Sequence, residues 1–381
     1  MILHPGIIAL LLVSLLVTGM ILYSSFFGVR IIAGWDIGSG SEGQLVLERR
    51  TYLISTFLAY ALLFQISSFF LFIYTADSLH SLFTGAMCAA GTLNVDPYGY
   101  PTLLLKILNF ILAGLWLIVN YADNQAYDYP LIRKKYGLLI VMAPLVATES
   151  VVQALYFLQM KADVITSCCG SLFSPYREGL SAAIVSIIPF KTAMTETLAQ
   201  TLKTMPSTSA LILSCCEGVF TGEALALIMT MVTALPVQTA MAGFYLAMGM
   251  TFFSGIFYLL RGKLGFLFSL AGGLFFLISC ISFLSFISLY FYELPTHRCP
   301  FCVLQAEYGY VGYLLYASLL TGAVSGLGVG VLRPFAGIDS LAGSLPVLQK
   351  RLTLLCLVSY LLFAGLVIYR MVSTDFTLGV L

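Results

Sequence analysis

Six of the nine cysteines in this 381-residue chain stand in three close pairs. Two pairs are adjacent residues, Cys168-Cys169 and Cys215-Cys216, and the third is the turn Cys299-Pro300-Phe301-Cys302. Thiols at such short spacing either cycle between dithiol and disulfide or bind soft metal ions. The cysteines therefore define the chemistry that the rest of the chain has to position.

The Cys299–Cys302 pair stands beside side chains that favour a thiolate. A Cys-x-x-Cys spacing lowers the pKa of one thiol and permits reversible disulfide formation. Arg298 directly precedes the turn, and a protonated His297 adds a second positive charge. A helix beginning at Val303 would also point its positive end at the thiols. We predict Cys299 and Cys302 as a redox pair that His297 and Arg298 tune.

The same turn has the composition of a soft-metal site. His297, Cys299 and Cys302 offer one imidazole and two thiolates, and His80 and Cys88 lie in a loop predicted on the same side. Such ligands suit copper or zinc. Covalent c-type haem needs a histidine directly after the second cysteine, where this chain has valine, so we expect none.

The adjacent pairs are poorly placed to bridge themselves. Neighbouring Cα atoms lie about 3.8 Å apart, short of the usual disulfide range. A bridge from Cys168 or Cys169 to Cys215 or Cys216 is easier, and it would join the two ends of one loop. A redox relay and metal binding stay open as alternatives for these four residues.

The composition indicates which elements carry these residues. The chain is 60% hydrophobic and only 9% charged, with a mean hydropathy of +0.99. A soluble domain carries about a quarter charged residues, so we predict an all-α polytopic integral membrane protein with residues 1–381 as a single membrane domain. A net charge of +1, with no Lys/Arg cluster large enough to neutralise a phosphate backbone, gives no indication of nucleic-acid binding, so we expect no nucleic-acid partner. Apolar runs predict about eight spans, at 6–29, 51–75, 102–122, 136–159, 236–260, 264–291, 309–332 and 352–371.

The distribution of Lys and Arg predicts the orientation. Of these 18 residues, 11 fall in loops on one side and 6 on the other, with Lys106 inside a span. Cytoplasmic loops carry the excess, so we place both termini outside. The outer face of a bacterial inner membrane, our predicted location, is oxidising, as is the ER lumen. The outer side then holds His4, His80, His297, Cys88, Cys168, Cys169, Cys215, Cys216, Cys299 and Cys302, whereas Cys280 and Cys356 lie in spans.

Two outer segments carry the predicted chemistry. Residues 160–222 form a long cysteine-rich loop, in which Gly179–Phe190 is apolar and Lys191–Met205 has helical spacing. We predict interfacial or re-entrant helices there. Residues 292–308 form the second segment, the Cys-Pro-Phe-Cys turn.

The sequence around this turn resembles a known membrane family. A Tyr-rich apolar span leading into Cys299-Pro300-Phe301-Cys302-Val303-Leu304 looks like the quinone-linked site of bacterial vitamin K epoxide reductase homologues. It is more distantly similar to the membrane thiol oxidases of the DsbB type, and the resemblance covers about residues 280–320. It implies that Cys299 and Cys302 exchange electrons with a quinone. It also implies that an outer pair, here Cys168-Cys169 or Cys215-Cys216, serves a thioredoxin-like periplasmic partner.

Charged residues inside the predicted bilayer form a separate group. Lys106 in the third span and Glu149 in the fourth are costly there unless they face a bundle interior. We expect them to pair, with snorkelling of Lys106 as the alternative. Asp123 and Lys135 fall in a short inner loop that we interpret as solvated.

Three functions are consistent with these residues. The first is a membrane thiol–disulfide oxidoreductase, with quinone as a candidate acceptor. The second is a copper- or zinc-binding protein of metal transport or assembly, with His80, Cys88, His297, Cys299 and Cys302 as ligands. The third is a non-catalytic membrane subunit of a larger complex, stabilised by disulfides. The expected surroundings are the lipid bilayer and partner proteins in the periplasm or membrane.

Overall fold

The computed structural model describes residues 3–35, 41–161, 164, 166, 237–294 and 297–376. Helices and turns make up this part of the chain, and it holds no β-strand. Eight of its helices are long and apolar enough to cross a membrane. A helix satisfies its own backbone hydrogen bonds, which is what a bilayer requires. The prediction of an all-α membrane protein is confirmed at this level.

The helices fall into two groups along the chain. The first half contains α1 (Pro5–Gly34), α2 (Glu42–Ser78), the short α3 (Ala89–Leu93), α4 (Gly99–Asp123) and α5 (Ile132–Gln159). The second half contains α6 (Val237–Arg261), α7 (Gly265–Ser282), α8 (Ser288–Tyr292), α9 (Val311–Leu332) and α10 (Ser344–Ser373). A single π-helical turn, Phe283–Ile287, joins α7 to α8.

Each half is a bundle of long helices. In the first, α1 packs on α2 and α5, and α4 also packs on both of those helices. In the second, α7 packs on α6 and α9, while α10 packs on α9 and α6. The halves meet chiefly where α4 contacts α9. A Cβ on Gly114 of α4 would lie 2.5 Å from Val324 Cγ1 of α9, so a glycine permits this close contact.

Two glycines of α9 lie in close contact with neighbouring helices. A side chain at Gly322 would overlap the ring of Tyr360 on α10, and one at Gly330 would overlap Ser269 on α7. The Tyr360 hydroxyl donates to the carbonyl of Gly272 on α7 at 2.8 Å. The helices α7 and α10 are thereby held at short separation from α9.

The segments between helices gather at the two ends of the bundles. Residues 79–98, between α2 and α4, and residues 297–310, between α8 and α9, lie together at one end, which we call the cysteine end. The turns at 124–131 and 333–343 lie at the other, because successive spans run in opposite directions. The helices predicted within 179–205 and the cysteine pairs at 168–169 and 215–216 lie outside the described residues.

Buried ion pairs join the helices of the first half. Lys106 Nζ of α4 lies 2.8 Å from Glu149 Oε1 of α5, and both side chains are 1% exposed. The expected pair is therefore present, and Lys106 does not snorkel. The interpretation of Asp123 and Lys135 as solvated is wrong, because they form a second buried pair at 2.7 Å. Each charge is compensated by a partner on a neighbouring helix.

Candidate thiol site

The loop after α2 holds Cys88 in a fully buried position. Asp77 Oδ1, at the end of α2, accepts a hydrogen bond from the Ala89 amide at 3.1 Å. Gly85 has a φ of +88°, and a side chain there would overlap the Thr166 carbonyl. Thr166 in turn donates its amide to the Thr84 carbonyl at 3.1 Å. The loop is thus fixed on both sides of Cys88.

Two tyrosines hold the Cys-Pro-Phe-Cys turn. The Tyr292 hydroxyl donates to the Cys299 carbonyl at 2.6 Å and accepts from the Val303 amide at 2.9 Å. The Tyr316 hydroxyl donates to the Pro300 carbonyl at 2.6 Å. Both sides of the turn are therefore anchored to the second half.

No α-helix begins at Val303, so the expectation of a helix start there is wrong. Cys302–Leu304 forms a single 3-10 turn, and α9 begins only at Val311. Val303 instead lies against Gly312, where a Cβ would approach its backbone within 2.9 Å. A helix dipole beginning at this point therefore cannot account for thiolate stabilisation.

The three sulfurs of the cysteine end lie side by side. Cys88 Sγ is 3.5 Å from Cys299 Sγ, although the two residues are 211 positions apart. The Sγ atoms of Cys88, Cys299 and Cys302 all lie within 4.8 Å of one another. His297 Nε2 lies 3.2 Å from Cys302 Sγ. We call Cys88, Cys299, Cys302 and His297 the thiol cluster.

The cluster is assembled from both halves of the chain. Gln305 Nε2, three residues after Cys302, donates to the Met87 carbonyl at 2.7 Å and so ties the two loops together. Cys88 and Cys302 are buried, whereas Cys299 is half-buried. Cys299 is therefore the sulfur of the three that solvent or a partner reaches most easily.

Aromatic rings surround the histidine. The ring of His297 meets Tyr292 edge-on with centroids 4.6 Å apart, and Tyr308 meets Tyr292 at 5.0 Å. Partial burial, with the proximity of Cys302 and Glu307, raises the pKa of the Tyr308 phenol. Tyr308 therefore remains protonated at neutral pH and adds no negative charge beside Cys302.

The structure brings some of the predicted site residues together and places others elsewhere. It brings Cys88, Cys299, Cys302 and His297 together, and Arg298 stands between two of them in the chain. His80 is absent from the three-sulfur group, and its Nδ1 contacts the Asp77 carbonyl instead. Cys280 on α7 and Cys356 on α10 stand in spans, as predicted.

Sequence reasoning missed several parts of the cluster. It treated Cys88 only as a metal ligand and did not predict its contact with Cys299. It also missed the bridging role of Tyr292 and the anchoring of the Cys88 loop by Asp77. The shared outer side of Cys88 and Cys299 was the available signal, because a topology brings loops of one side together.

No protein-family model matches this chain, and neither a curated protein nor a solved structure matches it. The fold and the site define its class as an all-α integral membrane protein with a three-sulfur cluster at one end.

Proposed function

We propose that this chain is a membrane thiol–disulfide oxidoreductase whose reacting sulfurs are Cys88, Cys299 and Cys302. The observation that carries the proposal is the 3.5 Å separation between Cys88 Sγ and Cys299 Sγ. With Cys302 Sγ within 4.8 Å of both, a disulfide can move between neighbouring pairs by small side-chain rotations.

Cys299 stands in the middle of the exchange. In the oxidised protein, the thiolate of Cys88 attacks Cys299 Sγ of a Cys299–Cys302 disulfide. The Cys88–Cys299 bond forms, the Cys299–Cys302 bond breaks, and Cys302 leaves as a thiolate. This step conserves electrons and needs no external oxidant.

His297 is the proposed acid–base group for Cys302, the leaving sulfur of this step. Its Nε2 lies 3.2 Å from Cys302 Sγ, so a protonated imidazole donates a hydrogen bond to the departing thiolate and can return a proton to it. Histidine suits this task because its ordinary pKa is near 6.5. Arg298 adds positive charge next to the turn.

Renewal of the Cys299–Cys302 disulfide requires a two-electron acceptor. A bilayer quinone fits, because it takes two electrons and two protons from the two thiols and becomes a quinol. The motif around Cys299 supports this choice. Cys168, Cys169, Cys215 and Cys216 are proposed to relay the disulfide to a thioredoxin-like partner. The proposed setting is the outer face of a bacterial inner membrane, with both termini on that side.

Mapping disulfides after mild oxidation tests the proposal. The purified protein is reduced, exposed to a soluble quinone, alkylated and digested. We expect peptides linked through Cys299–Cys302 and through Cys88–Cys299. Cys299→Ser should lose both links, Cys88→Ser only the second, and Cys280→Ser neither. A wild-type protein that forms neither link with quinone would contradict the proposal.

A soft-metal site is the second candidate, and the mutual approach of the three sulfurs favours it. Around one zinc ion with Zn–S bonds of about 2.3 Å, tetrahedral sulfurs stand about 3.8 Å apart. The 3.5 Å between Cys88 and Cys299 is close to that value, and His297 supplies a fourth donor near Cys302. Three thiolates and one imidazole suit zinc, and the thiolates also suit Cu(I).

Metal analysis distinguishes the two candidates. One copper or zinc per chain, lost from both Cys88→Ser and Cys299→Ser but kept by Cys280→Ser, would establish the metal site and contradict the oxidoreductase. A metal-free protein with quinone-dependent links at Cys299 would do the reverse. Links that form in air but never respond to quinone or a dithiol would leave a structural role in a membrane complex.

A further inference from the structure

A second site lies at the opposite end of the first half from the thiol cluster. A cavity of about 460 Å³ opens between α2, the end of α4 and the beginning of α5. This volume is typical of small-molecule sites. The lining mixes aromatic rings with hydroxyl, amide and charged groups, although the surrounding bundle is apolar. Polar groups gathered in a membrane helix bundle indicate an occupant that is itself partly polar.

One face of α2 forms the long wall of the cavity. Its lining residues recur every three or four positions from Glu48 to Leu63, which places them on one side of the helix. The carboxylate of Glu48 comes first, the hydroxyls of Thr51 and Ser55 follow, and Tyr60 and Leu63 stand at the far end. The helix rises about 22 Å over this stretch, at ~1.5 Å per residue. The wall therefore matches a molecule with a polar head and an apolar tail.

The charges of the lining favour a cation. Among the described residues that line the cavity, Glu48 and Lys135 carry charge. Lys135 Nζ already lies 2.7 Å from Asp123 Oδ2, and both of these side chains are buried. Glu48 accepts a hydrogen bond from Gln44 Nε2 at 3.1 Å but forms no ion pair with a described residue. The uncompensated charge of the lining is therefore the Glu48 carboxylate.

The arginines nearby have other partners. Arg30 and Arg50 lie over phenylalanine rings of α1. Arg133 donates to the Trp35 carbonyl at 3.2 Å. These three arginines do not belong to the cavity lining, so they leave the charge of Glu48 in the cavity uncompensated.

Aromatic side chains form much of the remaining lining. Trp35, Tyr52, Tyr60 and Tyr129 all border the cavity. Aromatic rings attract ammonium groups, and Tyr52 stands one helical turn after Glu48, so that its ring and the carboxylate are neighbours. Tyr129 has a φ of +46°, which an aromatic residue rarely adopts. Such strain is frequent at binding sites, where the surrounding structure imposes it.

Thr51 indicates that the occupant also forms a hydrogen bond. The residue is 5% exposed, and its Oγ1 has no hydrogen-bond partner among the described residues. A buried hydroxyl is costly in this state. Thr51 stands three positions after Glu48, so one small group on this face of α2 can contact both side chains.

We propose that this cavity binds the primary ammonium group of an amphipathic amine, with the hydrocarbon chain along α2 towards Leu63. The ammonium donates to the Glu48 carboxylate and to Thr51 Oγ1, and it lies against the ring of Tyr52. A primary ammonium has three N–H donors and can serve both oxygens, whereas a quaternary ammonium has none. The site is separate from the thiol cluster and does not depend on its function.

Tryptophan fluorescence of the full chain in neutral detergent tests this site. The chain has two tryptophans, Trp35 in the cavity lining and the fully buried Trp116. We expect octylamine to change the emission saturably at pH 7. Octanol, octanoate and trimethyloctylammonium should each bind more weakly. Trp35→Phe should abolish the response, because Trp116 lies outside the lining.

Two variants separate the charge from the hydroxyl. Glu48→Gln should raise the dissociation constant for octylamine at least about tenfold, because a hydrogen bond to a charged group is lost. Thr51→Val should raise it several-fold. Without ligand, Thr51→Val should melt at or above the wild-type temperature, because an unmet hydroxyl has been removed. Glu42→Gln, at an exposed carboxylate at the beginning of α2 and outside the lining, is the matched control and should leave the affinity unchanged.

Three results would overturn the proposal. Octanol or octanoate that binds as tightly as octylamine would overturn the assignment of a cation. Equal octylamine affinity in Glu48→Gln and Glu42→Gln would do the same. A full response in Trp35→Phe would place the amine outside this cavity. Trimethyloctylammonium that binds as tightly as octylamine would contradict the hydrogen bond to Thr51.

Discussion

Tyr292 contacts the thiol cluster through both its hydroxyl and its ring. Its single hydroxyl closes the turn by donating to the Cys299 carbonyl and accepting from the Val303 amide. Its ring supports His297 on one side and Tyr308 on another. Tyr292 therefore contacts the backbone of the turn and the ring of His297 with one side chain.

Tyr292→Phe should weaken this arrangement without removing the ring. Two backbone groups lose their partner, and a buried unsatisfied group costs about 1–3 kcal/mol. We expect a lower melting temperature and slower formation of the Cys299–Cys302 disulfide. Tyr290→Phe, which changes the tyrosine two positions earlier on α8, is the matched control. An equal effect of the two changes would contradict the bridging role.

His297→Gln should slow the exchange step specifically. General acid–base assistance contributes about 10²–10⁴-fold, so we expect a rate loss of at least about 10²-fold in transfer from Cys299–Cys302 to Cys88. Stopped-flow thiol trapping between pH 5 and 8 measures it. The histidine-dependent limb of the pH profile should vanish in the variant and persist in His4→Asn, which keeps an acceptor that can cap α1. An unchanged profile in His297→Gln would exclude the proposed role.

Among single residues, the sequence predicted the site residues that are neighbours in the chain. The Cys-x-x-Cys motif and its neighbouring His297 were visible because the residues are adjacent in the chain. The contact of Cys88 with Cys299 was not, since no local rule connects residues 211 positions apart. Tyr292 was also hidden, because a tyrosine at a span end usually indicates the membrane interface.

Among the elements, α2, α4 and α5 are joined by one polar network. Glu149 Oε2 accepts from Gln65 Nε2 of α2 and from Asn109 Nδ2 of α4, each at 2.5 Å. Lys106 Nζ binds Glu149 Oε1 at 2.8 Å and Ser68 Oγ at 3.2 Å. Removing either Lys106 or Glu149 leaves the other buried without its charge partner.

A double-mutant cycle measures this coupling. Lys106→Met alone should destabilise the protein by about 3–5 kcal/mol, because it removes the charge partner of the buried Glu149 carboxyl group. Adding Glu149→Gln should restore much of the loss. Denaturant titration in detergent gives the free energies of unfolding. Arg370→Met, at a more exposed pair with Glu293, should cost less than about 1 kcal/mol. Additive losses at 106 and 149 would argue against coupling.

The spans were predictable because the bilayer demands about 20 apolar residues whatever the fold. Their ends were less so. α10 begins at Ser344, before the polar residues Lys350 and Arg351 at which the apolar run starts. Helical hydrogen bonding continues outside the apolar run, so hydropathy marks the membrane rather than the helix. Lys135 was misjudged for a related reason, because hydropathy does not register its pairing with Asp123.

At the scale of the described chain, the thiol cluster lies between residues of both halves. Cys88 comes from the first half, and Cys299 and Cys302 come from the second. The halves touch through α4 and α9, with Gly114 against Val324. Any change that separates α4 from α9 should also separate the sulfurs.

Gly114→Leu tests this connection. The added side chain has no room beside Val324, so the halves should move apart and quinone-induced Cys88–Cys299 linkage should fall several-fold. Gly249→Leu on α6, where a Cβ would have nothing within 4 Å, is the control. Linkage that survives Gly114→Leu at the level of the Gly249→Leu protein would show that the loops alone hold the cluster.

The distance along the chain between Cys88 and Cys299 sets a delay between their synthesis on the ribosome. Ribosomes add about 5–20 residues per second, so the 211 positions from Cys88 to Cys299 take roughly 10–40 s to synthesise. During that interval Cys88 is already translated while its later neighbour does not yet exist. A nascent chain therefore passes through a stage in which this thiol is open to other partners, and its contact with Cys299 can form only after most of the polypeptide has emerged.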